Sequence, residues 1–435
     1  MKSSWFATAL CLVFAPPVPV LADALFDFYQ QLHAHPELSH FETNTAALLA
    51  TELRKAGFQV TTGIGKYKDE SQAHGIVAVL ENGPGPRLLI RADMDALPIV
   101  EETNLPYARK VTSTNAAGQQ VGVMHACGHD LHTTTLLGTA REMAARRSEW
   151  QGTLVLVGQP SEETLDGAQA MLRDGLYQRF GKPDMALAMH VSAGLATGVI
   201  GVYAGATHAA VTSIDVTIRG VGGHGAAPHR GKDPVVMAAQ FINQIQTIVS
   251  RNQDPLDPAV VTVGSIHGGT KRNIIPDEIK LELTTRAHSE KAMNIIVAGI
   301  QHAAEGIAVS NGLPAERKPI VKIIETETGP ANINDKKLAL KVKAAITAAL
   351  GSDRVNDGFP IMGSEDFARY SLQGQQIPTV LFNVGVIPAG LLAQAKAGKA
   401  QVAGTHTSKF APEAEPAIQA GVQAMTAAAI DLLQK

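Results

Sequence analysis

Three short runs, RLLIRAD (87–93), TLVLVGQP (153–160) and DMALAMH (184–190), are apolar almost throughout. They lack the alternation of a strand with one wet face, and such runs suit strands covered on both sides. Around them lie stretches with apolar residues at helical spacing: FETNTAALLATELRKAGF (41–58), HDLHTTTLLGTAREMAARR (129–147) and DGAQAMLRDGL (166–176). GIVAVLENG (75–83) reads as a further strand. Strands alternating with helices predict an α/β fold, a mixed, largely parallel sheet covered by helices.

The pattern changes near residue 209. VTSIDVTIRG (211–220) alternates apolar and polar residues, and a helix follows at 233–251. Then come strands at 259–268 and 278–287, a helix at 290–308 and a strand near 319–325. The order β-α-β-β-α-β is that of a small two-layer unit, expected over 209–327. After Asn334 the first style returns, with a helix at 335–350, a strand at 379–385 and a final helix. A chain of 435 residues is long for one compact domain. The expectation is a discontinuous domain of 25–208 and 328–435 with the small unit inserted into it.

The first 24 residues, MKSSWFATALCLVFAPPVPVLADA, have Lys2, an apolar run from Trp5 to Ala15, and then prolines and small residues. This is the layout of a signal peptide cleaved between Ala22 and Ala24, so an exported, periplasmic or secreted protein is expected. The apolar run is short for a membrane anchor, and Pro16, Pro17 and Pro19 interrupt it. No stretch after residue 24 is expected to span a membrane. Of the two cysteines, Cys11 lies in the leader, which leaves Cys127 without a disulfide partner in the chain. A net charge of −3 and 5% aromatic residues speak against a nucleic-acid partner.

Cys127 sits in MHACGHDLH (124–132), with His125, His129, Asp130 and His132 around it. Ligands in open parallel sheets gather at the carboxyl ends of strands. Here those ends carry Asp93 and Asp95, Glu162 and Glu163, and His190. Each has a plainer reading: solvated strand-end or turn-capping aspartates, glutamates at a helix start, a satisfied core histidine, a small buried thiol. Together they supply thiolate, imidazole and carboxylate ligands for a hydrolytic metal. With His406, in AGTHTSKF, the set becomes Cys127, His129, Glu163, His190 and His406. Five ligands suit two ions sharing a bridging group, and the adjacent Glu162 suits a general base. Two readings from other classes remain beside this one: a cysteine hydrolase using Cys127 with His125 or His129, and a binding protein that keeps the fold without catalysis.

The stretches HAHPELS (33–39), RADMDALPI (91–99), MHACGHDLH, GQPSEE (158–163), MHV (189–191), GVGGHGAAPHRGKDP (220–234), GGTKRNIIPD (268–277), MGSEDFA (362–368) and GTHTSKF (404–410) resemble the M20 metallopeptidases. The resemblance is to their amidohydrolase branch, which includes aminoacylase-like, hippurate-hydrolase-like and auxin-conjugate hydrolases. It implies a two-metal catalytic domain with an inserted lid domain that often mediates dimerisation. Cys127 then corresponds to the bridging ligand, and His129, Glu163, His190 and His406 to the terminal ligands. Glu162 corresponds to the general base and Asp95 to the acid that supports a ligand. The resemblance also implies that His224 reaches an active site, often the partner subunit's, and polarises the scissile carbonyl, with Asn273 a second contact nearby. Arg286 is a candidate for holding a substrate carboxylate through its guanidinium fork, or an ordinary strand-end arginine. The expected cofactors are two divalent ions per subunit: zinc on the strength of the thiolate, with manganese, cobalt and nickel also compatible. The expected reaction is hydrolysis of an N-acyl amino acid amide. The alternative is a carboxypeptidase or dipeptidase acting on short peptides.

Overall fold

The computed structural model describes residues 19–372 and 377–434, with side chains from residue 24. The leader up to residue 18 lies outside the described residues. The helix Pro19–Ala34 runs across the expected cleavage point, and its seated side chains begin at Leu25, with Phe28, Tyr29 and Leu32.

The larger sheet has eight strands. In spatial order they are Gln59–Lys66, Gln72–Asn82, Gly152–Gln159, Arg87–Asp93, Met185–Ala196, Thr379–Ile387, Ile200–Gly201 and Val355–Asn356. The predicted apolar strands take the centre: Arg87–Asp93 pairs in parallel with both Gly152–Gln159 and Met185–Ala196. Thr379–Ile387 adds in parallel on the far side, and Gln59–Lys66 and Gln72–Asn82 are antiparallel. The sheet is therefore mixed, with a parallel centre buried on both faces. The edge strand at 59–66 and the two-residue strands at 200–201 and 355–356 carry too little apolar pattern to show in the sequence.

Helix His129–Ala145 is buried on nearly all sides, which explains its weak amphipathic pattern. It packs against Pro19–Ala34, Ala414–Leu432 and the sheet. Gly138 permits the approach: a Cβ there would stand 2.4 Å from Val422 Cγ2. Leu136, Leu137 and Ala140 share this core with Leu88, Ile90, Leu156, Leu187 and Phe382.

The second sheet is antiparallel, ordered Ala259–His267, Glu278–Ala287, Ala210–Arg219, Ile320–Gly329. Helices Pro234–Thr247 and Glu290–Ser310 lie on one face, and Ile214, Val216, Phe241, Leu281, Ile296 and Ile300 form a separate core. Their starts are capped as the sequence dictates: Asp233 accepts from Val235 N and Ser289 from Ala292 N. By length and composition Glu290–Ser310 is apolar enough to cross a membrane, contrary to the expectation for residues after 24. One face of it is nevertheless seated on the sheet, with Ala292, Ile296, Ile300 and Ala303 buried. A two-stranded ribbon, Ala206–His208 with Asn332–Ile333, joins the chain where it enters and leaves this sheet.

Candidate metal centre

The donor residues meet at the carboxyl ends of the central strands. Register places Asp93 beside Gln159, and the chain turns there into Ser161, Glu162 and Glu163. The two glutamates lie in a turn ahead of the helix that begins at Gly167, not at a helix start. His190 lies within its strand, which continues to Ala196, rather than at the strand's end. Cys127 and His129 flank Gly128, whose φ of +83° puts it in the left-handed region at the start of helix His129–Ala145. A Cβ on Gly128 would stand 2.8 Å from Val191 Cγ2, so glycine serves both the turn and the close approach. His406, in a loop near the C-terminus, also adopts a left-handed φ of +62°, and its N–H donates to Ala126 O at 2.8 Å.

Cys127 Sγ lies 3.4 Å from His190 Nε2 and 3.3 Å from His406 Nε2. Glu163 Oε1 is 3.5 Å from His406 Nε2 and 3.7 Å from His129 Nε2. Among several donor triads at this rim, two contain Cys127: Cys127, His129 and His190, and Cys127, Glu163 and His406; another joins His129, Glu162 and Glu163. The two that contain Cys127 share no other residue. Glu162 stands alongside, its Oε2 3.9 Å from His129 Nε2.

The hydrogen bonds around these donors fix which lone pairs face inward. His190 Nδ1 is 2.7 Å from Val191 O, an acceptor, so Nδ1 carries the proton and Nε2 presents its lone pair to Cys127. His132 has no lone pair to spare: Val191 N–H donates to its Nε2 at 2.9 Å, and its Nδ1 donates to Asp93 at 2.6 Å. It orients its neighbours rather than binding. Asp95 holds three parts of the site. It accepts from Glu162 N at 3.1 Å, from Glu163 N at 3.0 Å and from Ser39 Oγ at 2.6 Å. Its Oδ1 also faces His129 Nδ1 at 3.3 Å, the carboxylate–histidine arrangement that aims the opposite ring nitrogen at a metal.

The residues fit a divalent cation. His129 Nε2 and Glu163 Oε1 are buried with no hydrogen-bond partner. Burial, with Glu365, Glu163 and Asp366 nearby, pushes Glu162 well above the carboxylate range. Burial raises Glu163 to about 8 despite the opposing pull of His129. Burial and the same glutamates push the Cys127 thiol up. Burial lowers His129, but Asp93, Asp95 and Glu163 outweigh it and bring the ring to about 10. Acidic donors are crowded into a largely buried cluster where they retain protons, and a dication would relieve that crowding by displacing them.

Beneath the donors is a buried ion network that sequence reading missed. Arg91 reaches Asp93 at 2.7 Å, Glu365 at 2.8 Å and Asp366 at 3.0 Å, and donates to Gln159 Oε1 at 2.8 Å. A charged residue inside an otherwise apolar strand was its one visible signal. Arg91→Met should take the guanidinium away from three buried carboxylates and cost about 3–5 kcal/mol of stability. Urea unfolding measures this, and a loss below about 1 kcal/mol would show that the acids do not need the guanidinium.

His224 and Asn273 are neighbours: His224 pairs with Ile274, and Gly225 N–H donates to Asn273 O at 2.9 Å. Both are exposed. Arg286 is half-buried on the second sheet and donates to Thr284 Oγ1 at 2.5 Å and Thr285 O at 3.0 Å. Among the described residues no hydrogen bond or ion pair joins any of these three to the donor set.

Residues 89–431 match the peptidase family M20/M25/M40. The chain is 35% identical to the N-acetyl-L-cysteine deacetylase of Bacillus subtilis (strain 168), covering 80% of this chain and 78% of that protein. It is 36% identical to the hippurate hydrolase of Campylobacter jejuni, covering 80% and 86%. The crystal structure of the YXEP protein of Bacillus subtilis, described as a dinuclear metal-binding peptidase of the M20 family, superposes with a TM-score of 0.75 at 29% identity, covering 95% of this chain and 99% of that one. Motifs, fold and donor set agree: the chain belongs to peptidase family M20/M25/M40, in its amidohydrolase branch, and is a metal-dependent hydrolase of amides.

Proposed function

We propose that the protein hydrolyses N-acyl amino acids, with N-acetyl and N-benzoyl conjugates as the substrate class, at a centre where Cys127, His129, Glu163, His190 and His406 would hold two divalent ions. The observation that carries the reading is the pair of donor triads sharing only Cys127, with Glu162 beside them. His129 and His190 complete one triad, and Glu163 and His406 the other. Bound divalent ions supply Lewis acidity, which lowers the pKa of a water and polarises an amide carbonyl.

The chain's own residues do the rest. Glu162 takes the proton from the attacking water at its carboxylate and later delivers it to the leaving amine. Its backbone is tied to Asp95, so the carboxylate is aimed before substrate arrives. Arg91 lies below and helps Glu162 ionise, against the push of Glu365 and Asp366. His224 donates to the developing oxyanion, brought to the site by a partner subunit or by closure of the second sheet. Asn273, its neighbour, contacts the substrate, and Arg286 is the candidate for a carboxylate. We further propose export with cleavage between Ala22 and Ala24, and a homodimer formed through residues 209–327.

A panel of N-acetyl, N-benzoyl and long-chain N-acyl amino acids, assayed beside dipeptides, tests the substrate class. Acyl amino acids should turn over at least tenfold faster, with activity removed by a chelator and restored by zinc or manganese. Faster cleavage of dipeptides would make the protein a peptidase. Activity that survives chelation and dies on alkylation would make Cys127 a nucleophile.

A further inference from the structure

His33 lies in the first helix, outside the donor set, yet it is bound to two buried acids. Its Nδ1 is 2.7 Å from Asp130 Oδ2 and its Nε2 is 3.0 Å from Glu101 Oε1. Ionised carboxylates only accept, so both ring nitrogens must donate and the ring is an imidazolium. Tyr29 and Tyr107 flank it, with ring centroids 5.6 and 5.1 Å away. Burial lowers its pKa, but the two acids outweigh that and bring it to about 9.

Each acid leads to a different metal-side element. Asp130 follows His129 in the first turn of its helix. Glu101 precedes Glu102, whose N–H donates to Ser408 O at 2.8 Å and whose Oε2 accepts from Ser408 Oγ at 2.7 Å. Ser408 is two residues from His406, which is held in its left-handed conformation and is half-exposed. A non-glycine residue in that region is costly unless its surroundings fix it.

We propose that His33 is a positioning residue for the metal centre, a cationic link that holds the helix carrying His129 and the loop carrying His406 in one register. The link rests on the two-metal reading above. It acts through the acids and not by contact with metal or substrate. Partners bonded directly to a metal ligand change metal affinity by about 10–100-fold, and His33, one residue further out, is expected at the low end of that range.

The test is competition between purified full-length protein and a chelator for zinc, with kcat, KM and the thermal midpoint measured in parallel. His33→Gln should release one of two ions about tenfold more readily, and lower kcat with KM nearly unchanged. Ser408→Ala, at the far end of the link and half-buried, should loosen the same ion. The double variant should be little worse than either single one, because both cut one connection. If His33→Gln does not fold, Ser408→Ala alone decides. Unchanged zinc retention, even with a lower thermal midpoint, overturns the proposal, as do fully additive losses. A wild-type chain that holds no ion at all would instead overturn the proposed function, and this inference with it.

Discussion

Glu162→Gln is expected to keep its full metal content and lose about 10²–10⁴-fold in kcat. The substitution is nearly isosteric. The main-chain bond from residue 162 to Asp95 is untouched, and Glu162 belongs to neither triad containing Cys127. What disappears is a carboxylate that can take a proton, placed 3.9 Å from His129 Nε2. Removing a buried acid that faces Glu163, Glu365 and Asp366 also relieves repulsion, so stability should hold or rise. Metal analysis, single-turnover kinetics and urea unfolding separate these effects. Activity within a few fold of wild type would remove Glu162 from the chemistry and point to a different base.

Cys127→Ala should be as damaging for a different reason. The thiol is the one residue common to both triads, so on the proposed two-ion reading its loss should weaken both sites together. Loss of either His190 or His406 should weaken one ion more than the other. The side chain is small and buried, and alanine fits the same space, so the fold should survive. The expected result is a folded protein with under half its metal and at least about 10³-fold lower kcat. One ion retained at full affinity would show that Cys127 binds a single metal.

The gathering of these donor residues was legible before the structure because they interrupt apolar patterns. Asp93, Asp95, Glu162, Glu163 and His190 stand out after largely apolar runs, and parallel strands bring such positions to one rim. His406 was legible only as part of a set, since its place depends on a left-handed turn and a bond to Ala126. Arg91 was hidden for a related reason. Its partners Glu365 and Asp366 lie more than 270 residues away, and no local pattern announces a buried ion network of that span. The link through His33 was hidden similarly, since Asp130 and Glu101 meet it only in the folded chain. The strands near 200 and 355 are two residues each, too short for any periodicity. The turn holding Glu162 and Glu163 is set by Asp95 from another strand end, so local sequence suggested a helix start instead.

The central claim is that two ions share Cys127, and an anomalous-scattering map of crystals of the zinc-loaded protein tests it most directly. The account predicts two peaks per chain, each within about 2.3 Å of the Cys127 sulfur, one beside His129 and His190 and the other beside Glu163 and His406. A single peak, or two peaks of which only one touches the sulfur, would contradict it.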